Sequence, residues 1–277
     1  MLVAHGSPDP RSAPVVRAIA AAAGVREAFL DFDTPTADDV LADFVGDGHR
    51  HAVMVPLLLT DAYHRRVDLP RIADRTGELL GMSVTITATV GGARLIPALS
   101  ARLPPGTDAV VLAGAGSRSS SALAEVAAVA AELGDRVGLP ARAAFAAAEP
   151  SVTEAVGRLR DEGARRVAVV SYFVAAGRLH DRVARQAVEA GASVTPVLGP
   201  CRELVDTIVD RYRAVSTPSP VSVSSSVSGS RPTPSHSRLE RVSSSTAVMT
   251  PKPHAAAPSR PCRPETGNSR WATRPTD

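Results

Sequence analysis

Short apolar segments alternate with amphipathic ones along residues 1–214, and the most informative segment covers residues 53–59. This run, Val-Met-Val-Pro-Leu-Leu-Leu, is almost unbroken and too short for a buried helix. Such a run is typical of a strand covered on both faces of a parallel sheet. A polar turn follows at residues 60–63, and then His64, Arg65 and Arg66. Because ligands of open parallel sheets bind beyond the carboxyl ends of strands, these three residues are the first functional candidates.

The same pattern predicts two consecutive βα arrays. The predicted strands are residues 1–4, 25–32, 53–59 and 84–89, then 109–113, 141–147, 166–173 and 194–198. The predicted helices are residues 13–23, 36–45, 66–80 and 93–102, then 119–133, 152–160, 178–190 and 201–213. The repeat of order and length indicates an internal duplication. The predicted fold is therefore α/β: two similar doubly wound lobes with parallel sheets, over residues 1–104 and 105–214.

The two ends of the chain depart from this pattern. The first predicted strand is short beside an ordinary strand of about 5–6 residues, which suggests a start a few residues upstream. Residues 215–277 contain 15 Ser and 10 Pro and have no apolar periodicity. Such a segment cannot bury enough surface to offset its chain entropy, so a disordered tail is predicted. A frameshifted or read-through end is a further explanation of this segment.

The charge of the whole chain is misleading, because the basic residues are concentrated in the tail. Residues 1–214 hold 23 Arg against 25 Asp and Glu, whereas the tail holds 8 Lys and Arg against 3 acids. A nucleic-acid partner is therefore not expected for the two lobes. The two cysteines lie far apart and suit a reducing cytoplasm, and no apolar segment approaches the ~18 residues of a membrane span.

Ionisable residues at the strand ends distinguish the two predicted lobes. In the first lobe the strands lead to His5, Asp31 and His64. The matching positions of the second lobe are expected at Ala115, Ala146 and the pair 177–178. The scaffold is repeated but these ionisable groups are not, which favours a functional role over a packing role.

The expected strand order would bring these groups together. If the first strand lies between the second and third, neighbouring strands are ~4.8 Å apart and the three side chains converge at one edge. Two imidazoles and a carboxylate suit Fe, Co, Ni or Zn, and they equally suit proton abstraction near neutral pH. The alternative interpretation is a turn or capping role for His5 and a loop position without a role for His64.

The remaining polar candidates are interpreted as follows. His49 and His51 are predicted to be surface residues before a strand. His180 is predicted on the solvent face of a helix start, with a position lining the cleft as the alternative. Asp33 is predicted to be a turn or cap partner rather than a ligand. Five arginines fall in loops after strands, where they favour an anionic ligand: Arg11, Arg65, Arg66, Arg118 and Arg178.

Several of these residues belong to motifs that resemble the CbiX/SirB-like sirohydrochlorin chelatases. The motifs are Ala4-His5-Gly6-Ser7 with Asp9-Pro10-Arg11, then Val55-Pro56-Leu57-Leu58-Leu59, and Tyr63-His64 with Asp68-Leu69-Pro70. The resemblance covers residues 1 to about 214, and the long form of that family has two similar lobes. The chain departs from the family at two positions. Asp31 stands in place of the usual Glu, and Pro8 stands in place of the Arg that often follows the His-Gly-Ser motif.

The resemblance implies a lyase that inserts Fe²⁺ or Co²⁺ into sirohydrochlorin, for sirohaem or cobalamin. It implies catalysis by His5 and His64, metal binding by His5, Asp31 and His64, and substrate binding by Ser7, Arg11, Arg65 and Arg66. The metal is a substrate, no organic cofactor is implied, and no Walker loop for ATP is present. A monomer in the cytoplasm, without nucleic-acid or membrane partners, is expected.

Two other functions remain open at this stage. Histidine phosphatases also have an apolar strand that ends in His-Gly, but they carry Arg directly before that His, where this chain has Ala4. The second alternative is a carrier that binds a metal or a tetrapyrrole without inserting the metal.

Overall fold

The computed structural model describes residues 1–61 and 67–216. The strands of the first lobe are β1 (Leu2–Ala4), β2 (Glu27–Phe29), β3 (His51–Pro56) and β4 (Ser83–Ile86). Its helices are α1 (Ser12–Ala23), α2 (Ala37–Gly46), α3 (Leu69–Leu80) and α4 (Ile96–Ser100), with a 3-10 turn at Ala93–Leu95. The predicted tail lies outside the described residues from residue 217 onward.

The second lobe repeats this order. Its strands are β5 (Ala109–Gly114), β6 (Ala141–Phe145), β7 (Val167–Ser171) and β8 (Ser193–Val194). Its helices are α5 (Ser120–Val137), α6 (Val152–Asp161), α7 (Arg178–Glu189) and α8 (Arg202–Ser216). Each lobe therefore has one four-stranded sheet between helices, and the predicted two-lobe α/β fold is confirmed.

Both sheets are parallel and share one strand order. The first is β2-β1-β3-β4 and the second is β6-β5-β7-β8. In the first sheet Val3 pairs with Ala28 on one side and with Pro56 on the other. The predicted position of β1 between β2 and β3 is confirmed, so the chain that leaves β1 lies between the ends of its two neighbours.

Local sequence signals set several helix ends. Gly24 ends α1 in the left-handed region (φ 65), which glycine adopts without the steric cost of a Cβ. Thr36 caps α2 by accepting a hydrogen bond from the Asp39 N–H, and the Asp39 carboxylate bonds back to the Thr36 N–H. Ser151 and Glu154 form the same capping box at α6. The box recurs at the matching place in each lobe, as a duplication predicts.

Alternating side chains of the central strands enter two different apolar layers. Leu2, Val53 and Val55 face a cluster shared by both lobes, which α1, α4, α5 and α8 complete. Val3 and Met54 face an outer cluster with α2 and α3. Because a strand directs successive side chains to opposite faces, strands buried on both faces read as continuous apolar runs.

Helix α8 connects the second lobe to the first. Leu204 and Ile208 are fully buried in the shared apolar cluster, in which β3 of the first lobe also takes part. At the surface of the same contact, Arg94 Nη1 lies 2.5 Å from Asp210 Oδ2. Arg211 Nε donates to the Thr89 carbonyl over 3.0 Å. Helix α8 therefore stabilises the inner face of the first sheet.

Candidate active site

A cleft of about 1140 Å³ opens at the carboxyl ends of the strands. From the first lobe it is lined by residues that follow β1 and β3: His5, Gly6, Ser7, Pro8, Ser12 and Leu57–Thr60. From the second lobe it is lined by residues of 114–126, Phe145, residues 172–182 and Arg185. This volume is slightly above the ~300–1,000 Å³ range of small-molecule sites, so it suits a large ligand.

His5 lies in this cleft directly after β1. Its Nδ1 is 3.0 Å from the Gly6 carbonyl oxygen. Because a carbonyl oxygen only accepts, this contact places a proton on Nδ1 and the lone pair of the neutral ring on Nε2. The ring of Phe32 lies 5.9 Å from the His5 ring, and Phe32 has a left-handed backbone (φ 64) and is 57% exposed.

Gly6 allows the loop after β1 to approach the end of β2. Its φ is +88, and a Cβ built on it would lie 1.8 Å from the Asp31 carbonyl oxygen. The Asp31 N–H donates to the His5 carbonyl at 2.9 Å. The backbones of two predicted site residues are therefore adjacent, as the strand order predicts.

The side chain of Asp31 does not line the cleft. It is exposed, and its Oδ1 accepts a hydrogen bond from the Phe32 N–H at 2.8 Å. Within residues 1–61 and 67–216, no three His, Cys, Asp or Glu side chains are grouped as metal ligands. His64, Arg65 and Arg66 lie outside the described residues, so the complete predicted triad of His5, Asp31 and His64 stays a prediction.

Ser7 and Asp33 shape the same loop. The Ser7 N–H donates to Asp33 Oδ2 at 3.0 Å, and Ser7 Oγ accepts from the Asp9 N–H at 3.1 Å. Asp33 is therefore a turn partner, in line with the sequence interpretation. Ser7 itself lines the cleft.

Arg11 is engaged in an ion pair between the lobes. Its guanidinium donates to Asp9 Oδ2 at 2.7 Å and to Asp181 Oδ2 at 2.6 Å. The hydrogen bonds from Arg11 lower the pKa of Asp9 to about 2 and also lower the pKa of Asp181. Arg11 is not among the residues that line the cleft, and its predicted substrate contact stays a prediction.

The segment that follows β3 is held by both lobes. A Cβ on Gly91 would lie 1.8 Å from the Leu59 carbonyl oxygen, so glycine is needed for this approach. From the second lobe, the Tyr172 hydroxyl accepts from the Gly92 N–H at 2.8 Å and donates to the Leu59 carbonyl at 3.4 Å. Glu125 Oε2 accepts from the Asp61 N–H at 2.9 Å.

Tyr172 and Glu125 were not identified from the sequence. Tyr172 lies in an apolar run that predicts a strand, and Glu125 lies on an ordinary amphipathic helix. Neither position carries a motif, and contact with the other lobe is visible only in three dimensions. Burial raises the pKa of the Tyr172 hydroxyl to about 12, and the charge of Glu125 adds to this shift.

His180 takes the alternative position named in the sequence analysis and not the preferred one. It lies in the first turn of α7 and lines the cleft instead of facing solvent, and its side chain is only 16% exposed. Its ring packs edge-on against Phe173 with the centroids 5.6 Å apart. Neither ring nitrogen has a hydrogen-bond partner among the described residues, and Nδ1 lies 3.6 Å from Asp181 Oδ1. The prediction failed because α7 begins beside the first lobe, which covers this turn.

Hydrogen bonds show which residues of the two lobes correspond. The Ala147 N–H donates to Ala115 as the Asp31 N–H donates to His5, each at 2.9 Å. The counterpart of Asp31 is therefore Ala147, and the expected Ala146 was one residue early. The contrast between ionisable and apolar side chains at these positions is unchanged. His49 and His51 are exposed, as predicted.

Two doubly wound lobes with a cleft at the carboxyl edges of both sheets define a bilobal α/β protein. The sequence profile of the CbiX family matches the chain twice, at residues 1–103 and 109–215. These matches cover more than half of the sequence, so the chain belongs to the CbiX family. A comparison with curated protein sequences gives no match.

Solved structures share this fold. SirB from Bacillus subtilis with Fe³⁺ has a TM-score of 0.67 at 23% identity, over 76% of this chain and 92% of that one. The sirohydrochlorin chelatase SirB from Bacillus subtilis subspecies spizizenii in complex with cobalt has a TM-score of 0.64 at 20% identity, over the same shares. CbiX, described as the terminal enzyme for biosynthesis of siroheme in denitrifying bacteria, has a TM-score of 0.56 at 21% identity, over 78% and 98%. Separately, no helix within the described residues is long and apolar enough to cross a membrane.

Proposed function

We propose that this protein is a metal chelatase of the lyase class that inserts Fe²⁺ or Co²⁺ into sirohydrochlorin, in sirohaem or cobalamin biosynthesis. The main support is the CbiX match over both lobes together with a histidine that lies in the cleft between them. Similar folds occur in a SirB structure with Fe³⁺ and in a SirB structure with cobalt. The metal is a substrate in this proposal, and no organic cofactor takes part.

The proposed chemistry starts from His5. Metal insertion requires the inner pyrrole N–H groups of the tetrapyrrole to lose two protons. A neutral imidazole with a proton on Nδ1 has a basic Nε2, which can accept a proton or bind a divalent metal near neutral pH. His64 is proposed as the second acting histidine. Asp31 is proposed as a metal ligand at the edge of the site, because its backbone is hydrogen-bonded to His5.

The proposed substrate contacts follow the sequence analysis. Ser7 lines the cleft, and Arg11, Arg65 and Arg66 are the predicted partners of the carboxylates of sirohydrochlorin. We propose that one chain acts as a monomer, because both lobes of the cleft belong to it, and that it acts in the cytoplasm, where its cysteines stay reduced. The domain limits 1–104, 105–214 and 215–277 are part of this proposal.

The test is an absorbance assay of purified protein with sirohydrochlorin and each metal in turn. His5→Ala and His64→Ala are expected to abolish insertion, while far-UV circular dichroism shows an intact fold. His51→Ala is the matched control, because His51 is exposed and its Nδ1 is 2.9 Å from Ser83 Oγ, away from the cleft. Full activity of both the His5 and His64 variants would refute the proposal.

Binding of sirohydrochlorin by the wild type without metallation would instead favour a carrier. Neither the carrier nor the histidine phosphatase is favoured by the comparisons.

A further inference from the structure

Helix α7 of the second lobe brings three arginines to one wall of the cleft. Arg178, Arg182 and Arg185 all line the cleft and are exposed. Their spacing of four and then three residues places them on one face of the helix. Among the described residues, the first lobe contributes no arginine or lysine to the cleft. Within residues 1–61 and 67–216, the arginines that line the cleft therefore all lie on one helix.

The acidic residue nearest to these arginines in the sequence does not neutralise them. Asp181 is the acidic residue of the first turn of α7, and it is paired with Arg11 at 2.6 Å. Within the described part of the chain, neither Arg178 nor Arg182 forms an ion pair. The charges of these two arginines remain available for a ligand.

Two glutamates on or near α7, Glu189 and Glu149, neutralise the charge of these arginines only slightly. Arg185 lies 3.9 Å from Glu189, and both side chains are more than 60% exposed, so this pair is weak. Arg182 acts on Glu149 through its charge but does not reach ion-pair distance. Arg178 and Arg182 are therefore the strongest anion-binding groups of the wall.

The matching helix of the first lobe does not contribute to the cleft. On α3, Arg75 is paired with Asp38, Asp74 and Glu78 add negative charge beside Arg71, and no described residue of this helix lines the cleft. The cleft beside α7 has an apolar floor that includes Leu57, Val126 and Phe145. An apolar floor beside a cationic wall suits a flat apolar ring system that carries anionic groups at its rim.

We propose that α7 binds the peripheral carboxylates of the tetrapyrrole, with Arg178 and Arg182 as the main contacts. The second lobe, which lacks counterparts of His5 and Asp31, then adds carboxylate contacts to those proposed for the first lobe, and the first lobe supplies the metal chemistry. This inference rests on the proposed function and deepens it. Charge-assisted hydrogen bonds from arginine to carboxylate provide the affinity.

The test measures binding of uroporphyrin, a flat tetrapyrrole with eight carboxylates, by fluorescence quenching in the absence of metal. Arg178→Gln and Arg182→Gln remove one charge each. Each is expected to weaken binding about tenfold, and the double variant about a hundredfold if the effects add. Arg136→Gln is the matched control, because Arg136 is exposed in the last turn of α5 and does not line the cleft.

A second measurement uses sirohydrochlorin and the physiological reaction. Because the carboxylates are remote from the pyrrole nitrogens, the α7 variants should raise KM and leave kcat nearly unchanged. Wild-type affinity of the double variant for uroporphyrin would overturn the inference, as would absence of uroporphyrin binding by the wild-type protein. If the wild type metallates sirohydrochlorin while the double variant binds uroporphyrin normally, the inference fails and the proposed function stands. If uroporphyrin binding depends on α7 but the wild type metallates nothing, the proposed function fails.

Discussion

Three glycine-to-alanine substitutions separate two costs of adding a Cβ: a left-handed backbone and a close contact with a neighbouring carbonyl oxygen. Gly6, in the loop after β1, has both. Gly24 has a positive φ of 65 and nothing within 4 Å of a built Cβ. A Cβ on Gly91 meets the Leu59 carbonyl oxygen at 1.8 Å, but Gly91 has no positive φ. Gly6 has both features, with φ +88 and the Asp31 carbonyl oxygen at 1.8 Å.

The expected losses of unfolding free energy follow from these differences. A left-handed backbone costs an L-residue about 1–2 kcal/mol, which sets the expected loss for Gly24→Ala. Real Cβ atoms essentially never lie closer than 3.0 Å to such a neighbour, so the backbone must shift in Gly91→Ala, at about 1–3 kcal/mol. Gly6→Ala should lose about 2–5 kcal/mol, because both costs apply.

Urea unfolding followed by far-UV circular dichroism measures the three losses against the wild type. Gly6→Ala is also expected to reduce metal insertion although His5 is intact, because the shift moves the loop that carries the imidazole. A Gly6→Ala protein as stable as Gly24→Ala would refute the close approach of this loop to the end of β2.

Two further predictions concern titration. Arg11→Gln should raise the pKa of Asp9 from about 2 towards its ordinary 3.8. A lowered carboxyl pKa contributes stability that is present above the ordinary value and is lost as the pH falls towards 2. The variant should therefore lose this part of the pH dependence of its stability. An unchanged Asp9 titration by NMR would contradict the ion pair. Tyr172, with a pKa of about 12, should ionise later than an ordinary tyrosine, and its burial should lower stability as the pH rises above about 10. Absorbance titration of the wild type and Tyr172→Phe tests this, and loss of a step near pH 10 in the variant would exclude a buried hydroxyl.

Much of the fold could be predicted because local signals and periodicity agree. Gly24 and the Thr36–Asp39 box mark helix ends directly, and apolar runs mark strands buried on both faces. The limits of β3 were less accurate: it covers His51–Pro56, whereas residues 53–59 were predicted. The run extends beyond the strand because Leu57, Leu58 and Leu59 line the cleft. A hydrophobic run indicates burial of side chains but not the hydrogen bonding of the backbone. It therefore does not distinguish residues of the strand from residues that line the cleft.

The candidate site was predictable only where the first lobe itself provides the residues. The position of His5 follows from the strand order, because β1 is central. The contacts of Arg11 with Asp181 and of Glu125 with Asp61 join positions far apart in the sequence. Such pairs depend on how the lobes meet, and no local pattern contains that information. The cleft position of His180 depends on the same arrangement.

Helix α8 makes the two halves of the duplicated fold unequal, because it belongs to the second half and covers an apolar layer of the first. Gene duplication suggests two exchangeable halves, yet Leu204 and Ile208 complete an apolar layer to which Val53 and Val55 of the first half contribute. A protein cut between residues 104 and 105, where the two predicted lobes meet, would expose this layer to water, and the histidine-bearing half would associate with another surface or aggregate. The two copies have thus become dependent on each other, and helix α8 could not be removed in evolution without a replacement cover.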